Sequence, residues 1–237
     1  MKQAKILCMA AAAAVFFTGC SRFEPDSTAM LAKKDGSVTA VVIETLDQSY
    51  YDSAELESLI NQEVADYNAS AGAENIRVEN FTAENQTANL TMEYAGGDDY
   101  AAFNNVTFFT GDILGAYDAG YDFQTVFQSV ERGNVTNSQV TREEVLNSRN
   151  YYTVIMEEPM ELQVDGNIVY ASSNVEITGR NTCRVLSAAG AQEETEVSEE
   201  ESAQPETLED GTVLLTPTKV TRAEDTAESS LAYIMYE

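Results

Sequence analysis

The sequence has no histidine, no tryptophan and only 3 cysteines in 237 residues. Histidine is the commonest metal ligand, the usual general base of nucleophilic triads and the side chain that switches near neutral pH. Its absence excludes zinc proteases, Ser-His-Asp hydrolases and Cys-His peptidases. A mechanism built on carboxylates alone, as in glycoside hydrolases, stays open, but with so many acids no pair is singled out by spacing. Of the cysteines, Cys8 and Cys20 lie at the N-terminal end, which leaves Cys183 alone in the body of the chain. No disulfide can form there, so the fold must rest on its apolar core. With no histidine to act as its base, Cys183 reads as a buried, idle thiol.

Basic residues are scarce as well. The chain carries 13 Lys and Arg against 40 Asp and Glu, a net charge of -27. Such a field repels DNA, RNA and anionic head groups, so nucleic-acid binding is excluded as a function.

A hydrophobic run long enough to span a bilayer is also missing. The longest, Ile6 to Phe17, is about a dozen residues, against the roughly 20 that a helix needs. It follows a short basic segment holding Lys2 and Lys5, and it ends in Phe17-Thr18-Gly19-Cys20. Basic start, apolar middle and small residues before a cut are the parts of a secretion signal. The last four residues resemble the lipobox of bacterial lipoproteins: a bulky apolar residue, two small residues, then the cysteine that becomes the lipidated first residue. Residues 1–19 are therefore expected to be a lipoprotein signal peptide, with Cys20 as the site of lipid attachment. Two or three acyl chains, at about 0.8 kcal/mol per buried methylene, anchor stably where one would not. The stretch 20–36 shows no sustained apolar period and reads as a flexible tether, reaching roughly 20 Å as a coil.

The body of the chain, 37–237, reads as one extracytoplasmic α+β domain: a mainly antiparallel sheet with one amphipathic helix packed on a face, plus a short second helix. The run Val38 to Glu44 is β-branched and apolar enough for a buried strand. Asp52 stands three residues before Glu55, as in a capping box, and Leu56, Leu59, Ile60, Val64 and Tyr67 follow at helical spacing, which predicts a helix over 53–68. Ile76 and Val78 suggest the next strand. Leu90, Met92 and Tyr94 alternate with polar residues in a clearer one. The short second helix is expected over 112–117, closed by Gly120. Glycines 111, 115 and 120 lack dinucleotide-loop spacing and read as caps and turns.

Asp165-Gly166-Asn167 has the chemistry of a three-residue hairpin turn, which would set Val164 opposite Ile168 and Leu162 opposite Tyr170. With Tyr152 to Met156 before it and Val175 to Ile177 after it, a meander of about four strands is expected. The Asp165-x-Asn167 spacing has no Gly-then-Glu at EF-hand distance, so it reads as turn chemistry and not a calcium loop. From about 190 to 211 the chain is acid-rich and nearly free of apolar residues, the composition of a disordered insertion. Val213 to Leu215 and Leu231 to Tyr236 then suggest a return to the sheet, so the acidic stretch interrupts one domain and does not link two.

Several blocks, together with the lipobox, resemble lipoproteins of anaerobic Gram-positive gut bacteria to which no activity is assigned. They are Asp66-Tyr67-Asn68, Asp99 to Asn104, Ala119 to Phe123, Gly166 to Val175 and Tyr233 to Glu237. The resemblance implies a surface location and carries no catalytic residue. The expected function is a membrane-anchored, non-catalytic binding or structural module of the cell envelope; a carboxylate-dependent glycan hydrolase and a calcium-responsive surface protein are the alternatives. No catalytic, cofactor or metal residue is singled out. The expected partners are the membrane, through the lipid on Cys20, and an envelope protein or glycan. The expected place is the extracellular face of the cell membrane, or the outer membrane in a cell that has two.

Overall fold

The computed structural model describes residues 23–46, 52–147, 151–187 and 231–237. The expected signal peptide 1–19, Cys20, the acidic stretch 190–211 and the strand expected at 213–215 lie outside them. The described chain is α+β, as its patterning implies, but its strands make two sheets. Seven of them, β1 (Ala29–Ala32), β2 (Val38–Thr45), β3 (Ile76–Glu84), β4 (Thr87–Tyr94), β9 (Glu161–Val164), β11 (Val175–Ile177) and β12 (Thr182–Val185), lie in the order β11-β12-β9-β1-β2-β4-β3. The other six are β5 (Phe108–Asp112), β6 (Phe127–Glu131), β7 (Asn134–Val140), β8 (Tyr152–Met156), β10 (Ile168–Ser172) and β13 (Ala232–Tyr236), in the order β5-β8-β13-β10-β6-β7. Neighbours run antiparallel except β1 and β9, which are parallel.

The core lies between the two sheets. Met30, Ala40, Met92, Leu162 and Cys183 project from the seven-stranded sheet toward Val154, Met156, Ala171 and Ile234 of the other. The six-stranded sheet is apolar on its second face too. There Ile155, Tyr233 and Met235 meet Ile113 and Ala116 of α3 (Ile113–Asp118), Val145 of α4 (Arg142–Leu146) and the loop residue Phe123. Burial on both sides explains why β8 and β13 are apolar at consecutive positions and do not alternate.

Three expectations need correction. First, β9 and β10 do not form a hairpin across Asp165–Asn167, and β8 to β11 are not a meander; successive strands there alternate between the two sheets. The backbone of the connecting turn is satisfied from elsewhere: Asp165 N donates to Ala32 O at 3.0 Å, Asn167 N to Glu237 O at 3.0 Å, and Ile168 N to Arg180 O at 2.8 Å. Gly166 fits because any Cβ there would run into the backbone of Glu237. Second, the segment 20–36 is not a tether throughout. Ala29–Ala32 is a strand at the middle of the seven-stranded sheet, with Met30 and Ala32 fully buried. Four small or apolar residues suffice because β2 and β9 pair with it on both sides.

Third, the helix predicted over 53–68 is present as α1 (Ser53–Ala71), but its apolar stripe is only partly used. Val64 alone is buried and Leu59 is 52 % exposed. Its ends are as the sequence implies: Asp52 Oδ1 accepts from Ala54 N and Glu55 N, and Gly72 closes the C-terminus at φ 71°. Polar contacts hold the last turn. Asn68 Oδ1 accepts from Asn75 N at 2.9 Å and Ile76 N at 3.0 Å, while its Nδ2 donates to Ile76 O at 2.8 Å. Asn68→Ala would leave those backbone groups without their partner, and a stability loss of about 1–3 kcal/mol is expected in denaturant titration. Two of the four helices among the described residues, α2 (Gly97–Asn104) and α4, have no counterpart in the sequence reading. The short second helix expected at 112–117 is α3, with Asp112 as its N-cap and Gly120 just past its end at φ 98°.

Candidate functional site

Alternation along the seven-stranded sheet sends one set of side chains into the core and the other outward. Strand register aligns the outward set in rows. One row reads Glu176, Arg184, Glu161, Ala29, Val41, Thr91, Asn80 across β11, β12, β9, β1, β2, β4 and β3. The next reads Thr182, Gln163, Leu31, Thr39, Glu93, Arg77. The face is thus apolar over β1 and β2, polar toward both edges, and charged in cross-strand pairs.

On the β11 side Arg184 lies 2.9 Å from Glu161 and 3.5 Å from Glu176. These neighbours hold the guanidinium proton more tightly than usual, through the hydrogen bond to Glu161 and then the charge of Glu176. On the β3 side Arg77 pairs with Glu93 and, at 3.3 Å, with Glu79.

Two open troughs lie on this face. The larger, about 820 Å³, is floored by Leu31, Thr39, Val41 and Thr91 and edged by Glu79, Asn80, Asn89, Glu93, Gln163, Asp165 and Asn181. The smaller, about 500 Å³, lies over β9 and β12, with Glu161, Gln163 and Thr182 in its lining. Phe23, Glu24 and Pro25 line both, so the chain leading into β1 runs over the sheet as a strap between them.

Such a face can hold a ligand by hydrogen bonds from amides and hydroxyls, which donate and accept, over an apolar floor. A glycosidic acid pair would need one carboxylic acid in dry surroundings that keep it protonated. Glu79 and Glu93 are instead partly exposed and share one guanidinium. Among the described residues no group of three or more Asp, Glu or Cys is placed to hold a metal ion. No helix among them is long and apolar enough to cross a membrane.

A second polar cluster lies where α2 meets the core. Tyr100 Oη donates to Glu158 Oε2 at 2.9 Å, and Tyr67 Oη and Asn75 Nδ2 both donate to Asp99 Oδ1. Burial, then the Glu158 charge, pushes the Tyr100 phenol far above its usual range, so it stays a donor at any physiological pH. The ring stacks edge-on against Tyr94 and Phe108. This cluster ties α1 and α2 to the sheets and is structural.

No family model, curated protein or solved structure matches the chain. The face must therefore be read from its own chemistry.

Of the residues singled out by sequence, Cys20 lies outside the described chain. Cys183 is 1 % exposed in the core, and burial pushes its thiol up to about 12. Thiol reagents at pH 8 are expected to leave Cys183 unmodified until the protein unfolds. Because the folded state keeps this proton beyond the unfolded thiol's pKa of about 8.5, the thiol's contribution to stability falls as pH rises from there toward 12. The outward rows were not legible as a site, since polar alternation is what any half-exposed strand shows.

Proposed function

We propose that the chain is a surface lipoprotein, lipidated on Cys20 and held on the extracellular face of the cell membrane, or on the outer membrane in a cell with two. Its domain is a non-catalytic binding module of the envelope. The lipobox-like Phe17-Thr18-Gly19-Cys20 supports the anchor.

The observation that carries the binding role is the trough of about 820 Å³ on the outer face of the seven-stranded sheet. Asn80, Asn89, Thr91, Gln163 and Asn181 offer neutral donors and acceptors around the apolar floor. Acids outnumber Lys33 in its lining, and the whole chain carries -27, so the ligand is uncharged or cationic. A hydroxyl- and amide-rich envelope glycan fits that description. The lack of histidine and the shared pairing of Glu79 and Glu93 support a role without catalysis.

Calorimetry of the Cys20→Ser protein with soluble cell-wall glycan fragments tests this reading. Saturable binding is expected, weakened about tenfold or more by Asn89→Ala combined with Thr91→Val, at roughly 1.4 kcal/mol per tenfold. Binding that the double substitution leaves unchanged would move the site elsewhere, and no binding would remove the glycan.

A further inference from the structure

The route by which the chain leaves the fold bears on what the outer sheet face meets. β1 is paired on both sides, so its start cannot swing. Just before it, Thr28 Oγ1 accepts from Ile43 N at 3.0 Å and donates to Ile43 O at 3.2 Å. Upstream, Phe23 and Pro25 lie along the two troughs. Ala29 and Val41 project outward from the sheet yet are only 2 % and 3 % exposed, which the overlying strap accounts for. The chain therefore reaches Phe23 while still on the outer face.

Only Ser21 and Arg22 separate Phe23 from Cys20. Three Cα steps span at most about 11 Å. A tether of that length lets the domain neither rotate freely nor stand off from the bilayer.

Resting on the reading of Cys20 as the lipid anchor, we propose that the outer face of the seven-stranded sheet is apposed to the head-group zone of the membrane. The trough then receives ligands presented at the bilayer surface. The charge on this face suits that position. Arg77 and Arg184 offset part of the acid around them, where the chain as a whole is strongly acidic. Glu79, Glu93, Glu161 and Glu176 on this face are each paired with one of these two guanidinium groups. The opposite side of the molecule, the layer of α3 and α4 over the six-stranded sheet, points away from the membrane, with Leu114 58 % exposed on it.

The test uses the lipidated protein in phosphatidylcholine vesicles, with single cysteines placed by Thr91→Cys on the outer sheet face and Leu114→Cys on α3. In the lipidated protein Cys20 is acylated and Cys8 leaves with the signal peptide, and the soluble comparison protein is begun at residue 20; with Cys183 buried, the introduced thiol is then the reactive one in both. Labelling rates with a bulky polyethylene-glycol maleimide are compared with those of the same variants carrying Cys20→Ser in solution. Thr91→Cys is expected to label at least tenfold more slowly on vesicles, and Leu114→Cys at nearly the same rate in both. Inserting a ten-residue Gly-Ser linker between Arg22 and Phe23 is expected to restore labelling at position 91. Equal ratios for the two positions, or protection that survives the linker, would overturn the proposal. Intact mass of the vesicle-bound protein reads acylation separately: an acylated protein with equal ratios sinks the orientation alone, whereas an unacylated protein sinks the anchor and the orientation with it.

Discussion

Ending the chain at Ser230 is expected to abolish cooperative folding. The seven residues removed carry β13, whose five residues are all buried. β13 lies between β8 and β10, so its loss splits the six-stranded sheet in two. It also opens both hydrophobic layers, because Ala232, Ile234 and Tyr236 serve the layer between the sheets and Tyr233 and Met235 the layer under α3 and α4. Burying one large side chain contributes about 1.5–3 kcal/mol, so losing four of them removes about 6–12 kcal/mol, as much as the about 5–15 kcal/mol by which a whole domain is stable. Circular dichroism should show no cooperative thermal transition for the shortened chain. An unchanged melting temperature would mean that β13 is an ornament of the fold and that the domain is complete without it.

Phe123→Ala is expected to have the next largest effect, a loss of about 3–5 kcal/mol. Its ring is fully buried, 5.0 Å from the ring of Tyr233 and 6.5 Å from that of Phe127. Truncation would leave a cavity in the layer that covers the six-stranded sheet. The backbone there is strained besides: Phe123 has φ 55°, a conformation that costs a bulky L-residue roughly 1–2 kcal/mol. Packing of the ring is what offsets that strain, so alanine keeps the cost and loses the compensation. Denaturant unfolding measures the difference, and a change below 1 kcal/mol would show that the layer collapses to fill the gap.

How much of this was legible in the sequence differs from element to element. β2, β4 and α1 carry local signals, period two or a capped period of 3.6, and their positions were readable. β10 and β9 were readable as strands but not as members of different sheets, because alternation fixes which side chains point together and not which neighbour a strand pairs with. The turn at Asp165–Asn167 has hairpin chemistry, yet its backbone groups are satisfied by Ala32 and Glu237, residues far away in sequence. β1 was hidden by its shortness, four residues whose stability comes wholly from neighbours on either side. The β6–β7 hairpin was hidden by β7 itself, which is exposed at six of seven positions and so shows no apolar period. Its one signal, Arg132-Gly133 at φ 53° and 81°, is a two-residue turn that glycine allows.

The candidate site follows the same rule. Cys20 is a local motif and stands out in four residues. The outer face is assembled from strands that range from Ala29 to Val185, and its rows exist only once register is known.

The intact mass of the protein extracted from its native membrane, compared with that of the Cys20→Ser variant, is the decisive measurement of the lipid anchor. The chain is expected to begin at Cys20 and to be heavier than its sequence by two or three acyl chains with their glycerol, an increment absent from the variant. An unmodified chain beginning downstream of Cys20 would contradict the anchor, and would make the protein a freely released one whose sheet face meets no membrane.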